Sequence, residues 1–442
     1  MTEKKGARWV TPPRTLITFA LKKFMLYNNN MENSKKKILI VGNSIATVAL
    51  VKKLHNDELD IFVVGMPMGM PEYVHFVDIR EEKVTELLEF VLANAIDFTI
   101  CTSNQAIKAD IAGIFNANGQ MIFAPDAESA IQFIDEALTK KFLYKLRIPT
   151  SKFGIFDKPQ LAQDYLKTAN FPLIIKSSEA LDERDMFACP TPSVASIALN
   201  DLFLRSTQKV LIKEFKNGHN FNFYVITDGY KALPLGILTS HKFSDAVCGG
   251  FLTKGSASLL PDFKVSAEIQ DYIMKNVVTR ICGALETAGT PYLGILGIHC
   301  IMQDDSILVE KITPFVEDVD AQILFASIQD DLLSIFQACA MGVFADDYDF
   351  IRTNDNSAVA ISLFARLEGA EINGLELLDE PENLCLSTTI KHGEFRTRKG
   401  IIGVLSASAK TLARAKANLQ SELSSINYEG MKWRKDILQN NI

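Results

Sequence analysis

The run Ile38-Leu39-Ile40-Val41 is apolar without a break, ends on Gly42, and is followed at once by helical periodicity over 46–54. A strand with no polar alternation suits burial on both faces, which arises where helices cover a parallel sheet. A punctuating glycine and a helix directly after the strand make the first half of a strand-helix-strand crossover. Apolar runs at 61–64, 98–100 and 121–123, with a helix pattern at 84–92, repeat the arrangement. This part of the chain is therefore expected to be an α/β layer with a parallel sheet.

Beyond it the patterning changes. Helices at 130–146 and 160–169 flank the strand Leu173-Ile174-Ile175-Lys176, and strands follow at 210–215, 221–227, 233–238, 295–302 and 307–309. Helical segments at 267–287 and 331–341 belong to the same region, and the remainder has strands at 359–364 and 400–406 and a long helix at 409–426. A chain of 442 residues is too long for one core and suits several domains sharing a cleft. The expected division is an extension at 1–35, a parallel-sheet domain at 36–125, two lobes at 126–205 and 206–350, and a C-terminal domain at 351–442. In the first thirty residues of the extension Lys4, Lys5, Arg8, Arg14, Lys22 and Lys23 face only Glu3. It is expected to be disordered, or to precede a true start at Met31.

Charge and composition exclude several classes. A net charge of -7 argues against a general nucleic-acid binder, which needs an excess of Lys and Arg to neutralise phosphate. With 48% hydrophobic and 22% charged residues and no uninterrupted apolar window, the expectation is a soluble cytoplasmic protein with no membrane partner. The seven cysteines are scattered singly and the six histidines lie far apart, so neither a disulfide framework nor a His-pair metal site is suggested. Gly42 alone is not a dinucleotide fingerprint, which disfavours a Rossmann oxidoreductase.

Short motifs then accumulate in order: Ile122-Phe123-Ala124-Pro125, Ile148-Pro149-Thr150, the stretch 210–218, Leu233-Pro234-Leu235, His241-Lys242, Gly249-Gly250, Pro291-Tyr292, Gly294, Glu310, Phe315 and Gln322. The closing Glu429-Gly430-Met431-Lys432-Trp433-Arg434-Lys435-Asp436-Ile437 completes the series. In order and spacing these resemble phosphoribosylamine glycine ligase, also called glycinamide ribonucleotide synthetase, a family of the ATP-grasp superfamily. The resemblance implies ATP-grasp architecture, α/β and α+β multidomain, with an N-terminal Rossmann-like parallel-sheet domain. It implies ATP-driven ligation in purine biosynthesis: glycine's carboxylate is phosphorylated, and the amine of phosphoribosylamine attacks the acyl phosphate. ATP and Mg2+ are the implied cofactors and small molecules the implied partners, with a monomer or homodimer both open.

Carried over position by position, the resemblance places ATP against Lys176, Glu214, Phe215 and Asn220, substrate against His241, Lys242, Gly249 and Gly250, and metal on Glu310. Each has a plainer reading: a solvated strand-end lysine, an edge-strand acid, a core aromatic, a surface charge. Other positions depart from the family. Ser44-Ile45 stands where a diglycine is expected, Glu136 where an ATP-contacting lysine is expected, and Glu183-Arg184-Asp185 where a glycine-rich loop is expected. A carboxylate at 136 is expected to repel triphosphate unless Lys140 or Lys141 compensates. Ile312 and Pro314 replace a metal ligand and a carboxylate clamp, so that restoring Asn and Arg there is expected to raise activity. Glu317, Asp318 and Asp320 are candidate replacement ligands, with an acidic solvated loop as the other reading. Two functional readings follow. One is a divergent working ligase forming a C–N bond; the alternative is a non-catalytic nucleotide-binding or interaction protein on a degenerated scaffold.

Overall fold

The computed structural model describes residues 35–65, 69–179, 185–205, 209–245, 251–304, 306–391 and 394–439. The extension expected at 1–35, apart from Lys35, lies outside the described residues, as do Glu183, Arg184, Gly249 and Gly250. The chain builds three main sheets, and their meeting point makes a cleft.

The first sheet is parallel, in the order β3-β2-β1-β4-β5, from β1 (Lys36–Val41), β2 (Leu59–Val64), β3 (Val74–Val77), β4 (Phe98–Cys101) and β5 (Ile122–Phe123). Ile38, Leu39, Ile40 and Val41 are all fully buried, as their unbroken apolar run requires. Ser44 caps the following helix, Ile45–Leu54, and forms a reciprocal capping pair with Thr47. The strand order reverses at β1, where the loops after β1 and β4 diverge, the usual position of a binding crevice in such sheets.

The second sheet is antiparallel, in the order β6-β9-β7-β8, from β6 (Phe153–Phe156), β7 (Leu173–Ser177), β8 (Met186–Cys189) and β9 (Val210–Glu214). One face, with Leu173, Ile175, Val210 and Ile212, packs under helices Pro159–Leu166 and Pro192–Leu204. The other face carries cations. Lys213 lies opposite Ile174, and Lys176, two positions further along β7, lands on the same side by the period of two.

The third sheet is antiparallel and holds nine strands. Its path runs β14-β13-β10-β11-β12-β15-β19-β16, with β20 paired to β15. These are β10 (His219–Asp228), β11 (Ala232–Phe243), β12 (Leu252–Leu260), β13 (Leu293–Gln303), β14 (Ser306–Thr313), β15 (Ser357–Ala365), β16 (Leu384–Leu386), β19 (Gly400–Ala409) and β20 (Met431–Lys432), while β17 (Thr389–Lys391) and β18 (Glu394–Arg396) form a separate hairpin. Pairing of β12 with β15 carries the sheet past position 350, so the last ninety residues share a sheet with the middle of the chain. Between β13 and β14 the register slips: His299 faces Lys311 and Cys300 faces Val309, leaving Glu310 as the extra residue of a bulge. A bulge re-aims the side chain it carries, and here that side chain is a carboxylate. Among the described residues no helix is long and apolar enough to cross a membrane.

Candidate functional site

Four elements meet at one buried charge network. Helix Glu136–Lys145 begins at Asp135, whose side chain accepts the amides of Ala137 and Leu138. That start puts Glu136 in the first turn and Lys140 one turn on, on the same face. Strands β7 and β9 bring Lys176 and Lys213, and the β14 bulge brings Glu310. Lys176 Nζ donates to Glu136 Oε2 at 2.7 Å, and Lys213 Nζ to Glu136 Oε1 at 2.9 Å. Lys213 also reaches Glu310 Oε2 at 3.1 Å, and Lys140 Nζ stands 3.5 Å from the same oxygen. The Ser151 amide and hydroxyl donate to the Glu310 carboxylate at 3.2 and 3.1 Å. All five charged residues are 7% exposed or less, so these are buried ion pairs rather than surface ones.

Beside this network Lys311 Nζ holds Glu317 Oε1 at 2.6 Å, with His299 Nε2 3.7 Å away. Burial raises the Glu136 carboxyl, but the ammonium groups of Lys176 and Lys213, then Lys311 and Lys140, outweigh it and hold the group well below the usual carboxylate range. Glu310 is likewise opposed by burial and then drawn down to about 2 by Lys213 and Lys140. Lys213, between two carboxylates, has its ammonium raised against the effect of burial. Burial lowers Lys242 to about 8, with Lys213 and Lys311 adding to the effect.

Seven residues expected at the site share one cavity of about 270 Å³: Lys176, Glu214, Phe215, Asn220, His241, Lys242 and Glu310. Phe215 and Phe243 meet edge to face with ring centres 6.0 Å apart, and both line the cavity wall. His241 has a buried Nε2 with no hydrogen-bond partner among the described residues, and burial followed by Arg434 lowers it to about 3. Asn220 turns its amide to the Gly218 carbonyl. Gly249 and Gly250 lie outside the described residues. Sequence reasoning missed Lys213 and Arg434. The first had a signal, a cation directly after the apolar run Val210-Leu211-Ile212; the second stood in the closing motif, far from the rest in sequence.

Four expectations need correction. Glu136 does not stand as a bare charge awaiting Lys140 or Lys141, because Lys176 and Lys213 already hold it, while Lys140 turns to Thr150, Ser151 and Glu310. Nor do Glu317, Asp318 and Asp320 form a solvated loop. Asp320 is fully buried and accepts from Tyr224 Oη and Asn222 Nδ2, both at 2.6 Å, and Asp318 accepts the Ala46 amide at 2.8 Å. Their partners differ, so they do not gather as replacement ligands. Finally, Ile312, where restoring Asn is expected from the resemblance to raise activity, is a fully buried member of the apolar core.

The donor set does not fit a resident Mg2+ as it stands. Among the described residues no three of His, Cys, Asp and Glu come together, and the Glu310 oxygens are taken by Ser151, Lys213 and Lys140. A hard cation needs several free oxygen ligands, and three ammonium groups nearby oppose it.

The description "Phosphoribosylglycinamide synthetase, N domain" matches residues 36–131, and "Phosphoribosylglycinamide synthetase, ATP-grasp (A) domain" matches 134–317. The chain is 26% identical over 419 residues to a phosphoribosylamine–glycine ligase of Caldanaerobacter subterraneus subsp. tengcongensis, covering 91% of this chain and 99% of that one. It is 24% identical to the human trifunctional purine biosynthetic protein adenosine-3, of whose length it spans 41%. In structure it is similar to the phosphoribosylamine–glycine ligase of Thermotoga maritima, with TM-score 0.74, 16% identity and coverage of 90% and 99%. It is also similar to the biotin carboxylase domain of Hydrogenobacter thermophilus 2-oxoglutarate carboxylase, solved with MgADP, with TM-score 0.67, 14% identity and coverage of 92% and 93%. Two adjoining domain matches in the right order, on a fold shared with both structures, are what a common ancestor leaves; the chain belongs to the phosphoribosylglycinamide synthetase family of the ATP-grasp superfamily.

Proposed function

We propose that this protein is a divergent phosphoribosylamine–glycine ligase, an ATP-dependent ligase joining a carboxylate to an amine through an acyl phosphate in purine biosynthesis. The observation that carries the reading is convergence. Lys176 and Lys213 from one sheet and Glu310 from another meet in the cavity that Glu214, Phe215 and Lys242 also line. Phosphoryl transfer depends on positioned cations that stabilise charge as it develops, and the cleft wall supplies them. Phe215 and Phe243 offer an apolar wall for a planar base, and Lys242 faces the same space.

A second reading, nucleotide binding without turnover, is favoured by the engagement of both Glu310 oxygens and by apolar Ile312 two residues further along β14. One experiment separates the two. Purified protein is given MgATP with and without glycine and phosphoribosylamine, and ADP release is followed. ADP formation requiring both substrates, at a rate below roughly 1 per second, is the expected result. Nucleotide binding with no substrate-dependent ADP favours the second reading, and no nucleotide binding removes both.

A further inference from the structure

The cleft has cations enough for a polyphosphate chain, but most are engaged by the protein's own carboxylates. Glu136 offers one oxygen to Lys176 and the other to Lys213, at 2.7 and 2.9 Å. Glu310 takes the remaining reach of Lys213 together with Lys140, and Glu317 takes Lys311. Lys216 pairs with Glu214 and Arg434 with Asp436, whereas Lys242, which lines the same cavity, has among the described residues no carboxylate within ion-pair distance. A bidentate carboxylate between two ammonium groups has the shape and charge of a phosphate oxygen pair in that position.

We infer that Glu136 is a specificity-determining residue that stands in for polyphosphate at Lys176 and Lys213, so that the cleft discriminates little between a nucleoside triphosphate and a monophosphate, whose single anionic group Lys242 receives. The inference deepens the nucleotide reading of the cleft and rests on it. A triphosphate must displace Glu136 from two buried ion pairs before it gains the same lysines, and a buried carboxylate left without them is costly. A monophosphate at Lys242 asks for no such exchange. Glu136 belongs to the first turn of its helix, with its amide fixed to the Ser178 carbonyl, so the backbone does not carry the carboxylate away.

The test is equilibrium calorimetry on the full chain with adenosine, AMP, ATP and inorganic tripolyphosphate, for the native protein, Glu136→Gln and Glu136→Asp. In the native protein ATP should bind within about threefold of AMP, since the bonds it gains replace bonds of the same kind. Glu136→Gln should tighten ATP and tripolyphosphate by about tenfold or more, the worth of one or more charge-assisted bonds, and leave adenosine unchanged. A native protein that binds ATP about a hundred times more tightly than AMP, or a Glu136→Gln protein with no gain for ATP or tripolyphosphate, overturns the inference. Should Glu136→Gln fail to show a cooperative melt, Glu136→Asp decides: its shorter arm keeps the charge but withdraws it, and a smaller gain in the same direction is required. Adenosine and tripolyphosphate separate the two claims. Absence of adenosine binding in every protein counts against the nucleotide reading, while the tripolyphosphate gain judges Glu136 by itself.

Discussion

Lys213 touches both Glu136 and Glu310, so its removal takes an ion-pair partner from two buried carboxylates at once. Lys213→Met should destabilise the protein by about 3–5 kcal/mol, the usual cost of breaking a buried pair from one side, read as a drop in urea midpoint. The exposed pair Lys167–Asp164 has the same charges, and its loss should be close to neutral because solvent screens it. Acid provides a second measurement. Glu310 falls from 4.5 to about 2 on folding, so between those values the folded state binds fewer protons than the unfolded chain, and stability declines as pH drops through that window. The contribution is on the order of 3 kcal/mol, fully present above about pH 4.5 and visible as the acid limb of a stability–pH profile. Asp320, pushed up to about 6 by burial, works the other way: its contribution is present below 3.8 and is lost as pH rises through about 6.

At the level of elements, helix Ile45–Leu54 illustrates how a first turn is satisfied from outside. Ser44 accepts the Thr47 amide, and Asp318, from a helix 272 residues away in sequence, accepts the Ala46 amide at 2.8 Å. A carboxylate in this position completes the cap and complements the helix dipole. Asp318→Ala should cost about 1 kcal/mol, with Asp318→Asn closer to neutral, measured by chemical denaturation. Strand β14 gives a sharper case. Ile312 pairs with Ile298 across the strand and is fully buried in an apolar cluster. Ile312→Asn, attractive by comparison with the family, should therefore lose roughly 3 kcal/mol through lost apolar burial and an unpartnered amide. A lowered thermal midpoint without a gain in ADP release is the expected outcome, and it revises the expectation that the substitution restores activity.

For the whole molecule the nine-stranded sheet is the integrating feature. Strand β15 continues it from β12, and Arg434, near the C-terminus, lines the cleft, donating to the Phe243 carbonyl and pairing with Asp436. Removing residues 351–442 would bare the edge of β12 and leave Ala257 and Leu259 without the cluster formed by Val359, Ile361, Leu405 and Leu419. An unpaired apolar edge is a template for aggregation. The truncated chain should accordingly elute as aggregate in size-exclusion chromatography, whereas the full chain elutes as a defined species.

Local patterning determined a good deal of this protein. The unbroken run 38–41 dictated a doubly covered parallel strand, whereas Lys176, which strand pattern alone reads as a solvated strand-end lysine, was legible only through its register in the family's motif series. The order of short motifs was enough to identify the family and to bring Glu214, Phe215, His241, Lys242 and Glu310 to one cavity. Tertiary structure decided what those residues are bound to. Whether Glu136 repels a ligand or replaces one depends on Lys176 and Lys213, 40 and 77 residues away, and whether Glu310 is free for a metal depends on Ser151, 159 residues away, and on a bulge. Periodicity records which face of an element is buried. It does not record which charges from distant elements share that burial, and for Glu136 and Glu310 that pairing sets the ionisation.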